Sequence, residues 1–282
     1  MVKGIAWACA LLTSLAVAVA ADLIQGTFAL QGGSVSTVGY LKAVEIHRDP
    51  LALHLDTWLT PRGSDTPIRS YGIDMTKRLH MIIVTDDFRT FLHVHPTLQS
   101  DGHFLLDQTL PRVALYHIYS DTQPTSRTKQ VFRFDLGAGT SVPAAARDLS
   151  ERALAVKAGP YWVRLSSNTL VAGSEAHIVI HILKNGEPAT DLHPYLGAAA
   201  HAVFLNARDL SYVHAHPMPI RTTAGMHGHL TETDMMQMPP TAVSPPNMML
   251  HVALSEPGIY KLWLQFHGGT QLYVAEFVIT AS

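Results

Sequence analysis

Histidine is the residue type in this sequence best placed to do chemistry, because six copies recur at one fixed spacing. The chain has 17 histidines but only one cysteine in 282 residues. Two triplets with the spacing H-x12-H-x-H-P stand 121 positions apart in the sequence. They are His80, His93 and His95 in the first half, and His201, His214 and His216 in the second half. Neutral imidazoles at such a spacing are typical ligands of Cu(II), Zn(II) or Ni(II).

The strands around each triplet should bring its three imidazoles together. In a β-strand, residues two apart share a face, so His93 and His95 are expected to be neighbours. A hairpin that turns at Asp86-Asp87 would place His80 directly opposite His93. The same arrangement around positions 207 and 208 would place position 201 opposite position 214. The sequence therefore predicts one three-histidine patch in each half of the chain.

A segment rich in methionine and proline follows the second triplet. Seven of the ten methionines fall between Met218 and Met249, and the same stretch contains several prolines and further histidines. We expect a long irregular loop over residues 218–249, with Met226, His227 and His229 as additional candidate ligands. Thioethers beside imidazoles in a chain almost free of thiols favour copper, with zinc as a possible alternative.

Two other interpretations of these residues stay open. Each His-x-His-Pro corner could be structural, with its imidazoles hydrogen-bonded to main-chain carbonyls. Duplication would copy a structural histidine as readily as a ligand, so the second triplet is not independent support for metal binding. The loop methionines could equally fill gaps against an apolar surface.

The elements that carry the triplets are predicted to be strands. Short apolar runs separated by turn signals such as Lys184-Asn185-Gly186 and Gly268-Gly269 dominate the chain, and sustained helical periodicity is rare. The matching flanks of the two triplets indicate an internal duplication. We therefore expect an all-β protein with two tandem immunoglobulin-like β-sandwich domains, at residues 22–136 and 158–282. A linker is expected at residues 137–157.

The N-terminal 21 residues have the pattern of a secretory signal peptide. Lys3 precedes an apolar run that ends in the small residues Ala18-Val19-Ala20-Ala21. The only cysteine, Cys9, lies within this segment, so the mature chain would contain none. We expect a periplasmic or secreted protein without a membrane span in its mature form. The formal net charge of −2 and the lack of a basic run argue against a nucleic-acid partner.

The motif Tyr212-Val213-His214-Ala215-His216-Pro217, followed by Gly258-Ile259-Tyr260-Lys261-Leu262-Trp263, carries a resemblance to a known family. It resembles uncharacterised bacterial secreted proteins with one or two His-x-His-Pro β-sandwich repeats. These are distantly similar to the YtkA-like and copper-resistance periplasmic sandwiches. The resemblance implies an envelope location and an association with metal, without implying an established activity.

The sequence supports three classes of function. The first is an exported metal-binding protein, with copper preferred, that buffers or delivers the ion. The second is a metal-independent β-sandwich module that binds a protein partner in an envelope complex. The third is a copper monooxygenase-type enzyme, although the sequence contains no nucleophile elbow, metalloprotease helix or phosphate loop. Metal affinity should fall below about pH 6 if imidazoles with an ordinary pKa of about 6.5 are the ligands.

Overall fold

The computed structural model describes residues 22–138, 146–220, 238–239 and 241–282, in which strands alternate with turns and irregular segments. The first half contains β1 (Asp22–Gln25), β2 (Thr27–Phe28), β3 (Thr37–Arg48), β4 (Leu51–Pro61), β5 (Leu79–Thr85), β6 (Phe91–Val94), β7 (Thr97–Leu98), β8 (Phe104–Thr109), β9 (Ala114–Thr122) and β10 (Gln130–Ala138). The second half contains β11 (Ala155–Ala158), β12 (Tyr161–Leu165), β13 (Thr169–Leu170), β14 (Glu175–Lys184), β15 (Glu187–Pro188), β16 (Leu192–His193), β17 (His201–Asn206), β18 (Tyr212–Ala215), β19 (Met218–Pro219), β20 (Asn247–Ala253), β21 (Gly258–Gly268) and β22 (Gln271–Ala281). The predicted signal peptide, residues 1–21, and the candidate ligands Met226, His227 and His229 lie outside the described residues. Within the described ranges, no helix is long and apolar enough to cross a membrane.

The two halves repeat one strand arrangement. The first half has sheets in the order β1-β3-β4-β8-β7 and β2-β10-β9-β5-β6. The second half has the matching orders β11-β12-β14-β20-β19 and β13-β22-β21-β17-β18, with short β15 and β16 added on β14 and β21. One edge differs, because β2 runs antiparallel to β10 whereas β13 runs parallel to β22. The prediction of an all-β protein with two tandem β-sandwich domains is confirmed.

Burial patterns show which sheets face solvent and which face protein. In β4 every second residue is buried, including Leu51, Leu53 and Leu55, as expected of a sheet with one wet face. In β5 and β17 every residue is buried. These two strands are therefore covered on both faces, which explains their largely apolar sequence.

A third hydrophobic cluster lies between the two sandwiches, in addition to the core of each. It combines residues from both halves: Ala29, Ile82, Val84, Phe88, Tyr119, Val131, Val203, Leu205, Leu210, Tyr212 and Trp263. The sheet that contains β5 and β9 thus packs against the sheet that contains β17 and β21. The molecule is a stack of four sheets, with the interdomain cluster at its centre.

The described part of the connection between the domains follows this interface closely. β10 ends at Ala138 and β11 begins at Ala155, close to the linker predicted for residues 137–157. Arg147 donates to Asp86 at 2.9 Å, and Leu149 packs against the interdomain cluster. Lys261 donates to the carbonyl of Asp148 at 3.3 Å. Residues 146–149 therefore add contacts to the domain interface.

Candidate metal centre

The strands direct both histidine triplets toward the domain interface. In β5, His80 alternates onto the same face as Ile82 and Val84, which belong to the interdomain cluster. In β17, His201 shares a face with Val203 in the same way. Each triplet therefore points at the other domain and away from the core of its own sandwich.

The strand register differs by two residues from the register predicted from the sequence. Ile82, and not His80, lies opposite His93. The second domain has the same shift, with Val203 opposite His214. The turn after β5 is longer than expected, and it contains Phe88 with a φ of 61°. Because the side-chain period of a strand is two, an even shift leaves each triplet on one face.

The imidazoles of the first triplet converge on a common point. Nδ1 of His80 lies 3.0 Å from Nε2 of His93. Nε2 of His95 lies 3.3 Å from Nδ1 of His80 and 3.2 Å from Nε2 of His93. Three ligands at the usual Zn–N distance of about 2.0–2.1 Å, in tetrahedral directions, would stand about 3.3 Å apart. The triangle of nitrogens therefore has the dimensions of a three-histidine metal site.

The second triplet has a similar but more open arrangement. Nδ1 of His201 lies 3.4 Å from Nε2 of His214. The ring of His216 is centred 4.8 Å from the ring of His201 and 4.6 Å from that of His214. Nε2 of His216 is buried without a hydrogen-bond partner. A buried polar atom without a partner is costly, and a cation bound to the neutral ring at this nitrogen would satisfy it.

The two triplets form one cluster across the interface, whereas the sequence predicted a separate patch in each domain. The ring of His80 is centred 6.1 Å from that of His201 and 5.3 Å from that of His214. The ring of His93 is 5.0 Å and 5.5 Å from the same two rings. One nitrogen each of His93, His201 and His214 also lie within 4.8 Å of one another. We call these six residues the six-histidine centre.

Main-chain carbonyls fix the tautomer of the first histidine of each triplet. Nε2 of His80 donates to the carbonyl of Asp74 at 3.1 Å, and Nε2 of His201 donates to the carbonyl of Tyr195 at 2.9 Å. Both carbonyls belong to tight turns in which the next residue has a positive φ, 57° at Met75 and 51° at Leu196. Because the outer nitrogen carries the proton, the inner Nδ1 presents a lone pair to the centre.

Side chains fix the second histidine of each triplet, and they come from the opposite domain. Nδ1 of His93 donates to Oε1 of Gln265 at 2.9 Å, and Nδ1 of His214 donates to Oδ2 of Asp121 at 3.2 Å. Asp121 pairs with His80 across β9 and β5, and Gln265 occupies the equivalent position opposite the second triplet. Each domain therefore orients a histidine of the other, which couples the geometry of the centre to the packing of the domains.

Burial keeps these imidazoles neutral. It lowers the pKa of His95 to about 3 and the pKa of His201 to about 4. Burial also lowers the pKa of His93, His214 and His216, and the neighbouring histidines lower it further. Neutral imidazole is the form that coordinates metal.

The methionines of the second domain are divided between the core and a cleft. Three methionines of the loop predicted for residues 218–249 lie in strands instead, because Met218 belongs to β19 and Met248 and Met249 belong to β20. Met248 is fully buried in the core of the second sandwich, and Met238 packs against that core. Met218 lines a cleft that also touches His214 and His216. Of the methionines that the structure describes, Met218 is therefore the one placed beside the second triplet.

Sequence reasoning missed the residues that orient the triplets and a third histidine group. Neither Asp121 nor Gln265 belongs to a sequence motif, although Asp121 lies opposite His80 and Gln265 lies opposite His201. Glu175, His177 and His251 form an exposed group whose ligand atoms lie within 4.8 Å of one another. The sequence signal for this group was the position of His177 within an otherwise apolar strand. Its partner, His251, is 74 positions away in the sequence.

Comparison with known proteins relates only the second half of the chain to a family. No curated protein matches the chain. Residues 155–282, which hold the second triplet and the whole second sandwich, match the model of a domain of unknown function, DUF8832.

Proposed function

We propose that this protein is an exported copper-binding protein of the bacterial envelope, which buffers or delivers copper from the six-histidine centre. The export part of the proposal rests on the signal-peptide pattern of residues 1–21 and on the lack of cysteine in the rest of the sequence. A periplasmic or secreted location follows from the same pattern.

The observation that carries the proposal is the triangle of nitrogens in the first triplet. The acceptors at Asp74 and Gln265 hold the protons of His80 and His93 on their outer nitrogens. Two lone pairs then face each other at 3.0 Å, and the third imidazole closes the triangle. Lone pairs at this distance repel unless a cation, or a proton on Nε2 of His95, lies between them. A metal ion is the cation that suits three neutral imidazoles.

The donor set favours copper, with zinc as the second candidate. The centre offers imidazole nitrogen and no carboxylate among its six residues, so Ca²⁺ and Mg²⁺, which require oxygen ligands, fit poorly. Among divalent ions at nitrogen sites, affinity is greatest for Cu²⁺. The thioether of Met218 in the adjoining cleft adds a soft donor that also suits Cu(I).

Isothermal titration of tag-free, metal-free protein with Cu(II) and with Zn(II) tests the proposal. The His93→Ala/His95→Ala variant removes two sides of the triangle. We expect copper affinity to fall by more than about 100-fold, since changes outside the ligand shell alone commonly cost 10–100-fold. The matched control is His47→Ala/His54→Ala, which removes two exposed histidines of the same domain and should leave affinity unchanged.

Two results would contradict metal binding at the centre. One is wild-type protein that binds copper no more tightly than a non-specific histidine surface. The other is unchanged affinity in the His93→Ala/His95→Ala variant when circular dichroism shows that it is folded. Either result would favour the metal-independent alternative, in which the centre is structural and the tandem sandwich binds an envelope protein partner.

A further inference from the structure

Four of the six histidines of the centre have buried side chains, so a metal ion needs a path to it. His80 and His201 are 1% and 0% exposed, and the side chain of His214 is 1% exposed. A cleft of about 370 Å³ reaches the centre from the side of the second triplet. His214 and His216 line its inner end, and Glu175 and His251 also line it. The cleft thus joins the buried centre to an exposed group of ionisable side chains.

The exposed group at the outer end of the cleft has the geometry of a metal site. His177 of β14 pairs directly with His251 of β20, and their rings are centred 4.4 Å apart. Oε1 of Glu175 lies 3.4 Å from Nε2 of His177 and 3.4 Å from Nδ1 of His251. Ligand atoms bonded to one ion at about 2.0–2.2 Å stand at such separations. We call these three residues the outer site.

Exposure falls steadily from the outer site to the centre. The side chains of Glu175, His177 and His251 are 67%, 55% and 38% exposed, against 1% for His214. A hydrated ion can therefore reach the outer site with most of its water shell intact. Further in, the cleft supplies the thioether of Met218 and the imidazole of His216, which can replace water as it is lost.

The charge of the cleft wall is compatible with a passing cation. Lys129 lines the cleft, but its ammonium lies 2.9 Å from Asp74 and 3.3 Å from Asp121. These two carboxylates more than balance its single positive charge. Glu175 adds a further carboxylate at the outer end.

We infer that Glu175, His177 and His251 form a capture site for a hydrated divalent copper ion, which then passes along the cleft to the six-histidine centre. This inference rests on the proposed function of the centre. The mixed carboxylate and imidazole ligands of the outer site suit an ion that keeps some of its water. The all-imidazole centre then holds the same ion deeper in the protein, where four of the six histidines are buried.

Stopped-flow mixing of metal-free protein with a Cu(II) salt tests the capture site by measuring the rate at which copper quenches tryptophan fluorescence. In His177→Ala/His251→Ala we expect the loading rate to fall by at least about tenfold, because the charged, ligand-bearing end of the cleft concentrates the cation. The affinity and stoichiometry of the copper ion that binds tightly at the six-histidine centre (the tight equivalent) should stay unchanged in equilibrium titration. Glu175→Gln, which keeps the shape and removes the charge, should give an intermediate rate.

The matched control removes two other exposed histidines, His47 and His181, and should load at the wild-type rate. An unchanged loading rate in His177→Ala/His251→Ala would overturn the capture site while leaving the proposed function intact. Loss of the tight equivalent in this variant would also overturn it, because the outer site would then hold the ion instead of passing it on. Failure of the wild type to bind copper tightly would overturn the proposed function itself, and the delivery step with it.

Discussion

The first and second histidine triplets lie on equivalent strands but have different surroundings. The first is the tighter, with nitrogens 3.0–3.3 Å apart, and its second histidine is oriented by the neutral amide of Gln265. In the second triplet the inner nitrogens of His201 and His214 are 3.4 Å apart, and His214 is oriented by the carboxylate of Asp121. The second triplet also borders the cleft, through His214 and His216.

This difference shows which features duplication preserved and which later diverged. Both copies have the same strand order and the same register between the two strands that carry the triplet. In both, a main-chain carbonyl six residues earlier accepts from the first histidine. The residues outside the triplets differ, including Met218, which stands where the first copy has Thr97, 121 positions earlier. The strand positions of the three histidines have stayed the same, and the second copy borders a cleft through His214 and His216.

The largest expected effect is a loss of folding stability at acidic pH, which tests whether histidines of both triplets are buried. The pKa of His95 is about 3 and that of His201 about 4, both below the unfolded value of about 6.5. Below pH 6.5 the unfolded chain therefore binds protons that the folded protein does not, so stability falls as pH falls. Above pH 6.5 both forms are neutral and the effect vanishes.

For these two histidines alone, the loss between pH 7.5 and pH 5 is about 4 kcal/mol, since each contributes about 1.4 kcal/mol per pH unit below 6.5. Chemical denaturation of metal-free protein in the presence of a chelator measures it. His95→Gln and His201→Gln should each reduce the slope by about one proton. A free energy of unfolding that stays flat over this range would show that the imidazoles titrate normally in the folded protein. The same lowered pKa values extend metal binding to lower pH than the pH of about 6 expected from ordinary imidazoles.

The next effect should distinguish the two residues that orient histidines across the interface. Asp121 accepts from His214 and Tyr212 and lies 3.3 Å from the ammonium of Lys129. Gln265 accepts from His93. Asp121→Ala should cost about 3–5 kcal/mol, because it leaves the buried donors of His214 and Tyr212 unpaired and removes one of the two carboxylates beside Lys129. Gln265→Ala should cost about 1–3 kcal/mol, the usual penalty for one unsatisfied buried group.

Urea unfolding of the two metal-free variants at pH 7.5 measures this difference. Equal losses of unfolding free energy would mean that the charge of Asp121 adds no stability beyond its hydrogen bonds. The residues that orient His93 and His214 would then contribute equally. A larger loss for Gln265→Ala would reverse the asymmetry between them.

Much of the fold could be predicted from the sequence because its signals are local. Alternation in β4, turn residues and the 121-residue repeat are sufficient to indicate strands and two sandwiches. The convergence of each triplet was also predictable, since it depends only on the parity of the strand. The register itself was wrong by two residues, because the turn at Phe88 adopts a left-handed conformation that its residue type does not indicate.

The union of the two triplets could not be predicted from the patterns within either domain, because it depends on how the sandwiches pack. One clue was present in β5, where Ile82 and Val84 make the face that carries His80 as apolar as the core face. A strand that is apolar on both faces must be covered on both. The sequence does not reveal that the cover is the other copy, nor that Asp121 and Gln265 would reach across the interface.

The smallest effect should come from making the second copy more like the first at a single position. Met218→Thr introduces the residue type found at Thr97 and removes the thioether from the cleft. Because thioether sulfur favours Cu(I) over harder ions, Cu(I) affinity in a competition titration should fall by less than about tenfold, with Zn(II) affinity unchanged. Thr97→Met is the reciprocal control, and it should alter neither affinity, since Thr97 is exposed and outside the cleft. Equal losses for Cu(I) and Zn(II) in Met218→Thr would mean that the residue shapes the cleft and does not donate to the ion. The second copy would then differ from the first in its access through the cleft and not in a donor atom.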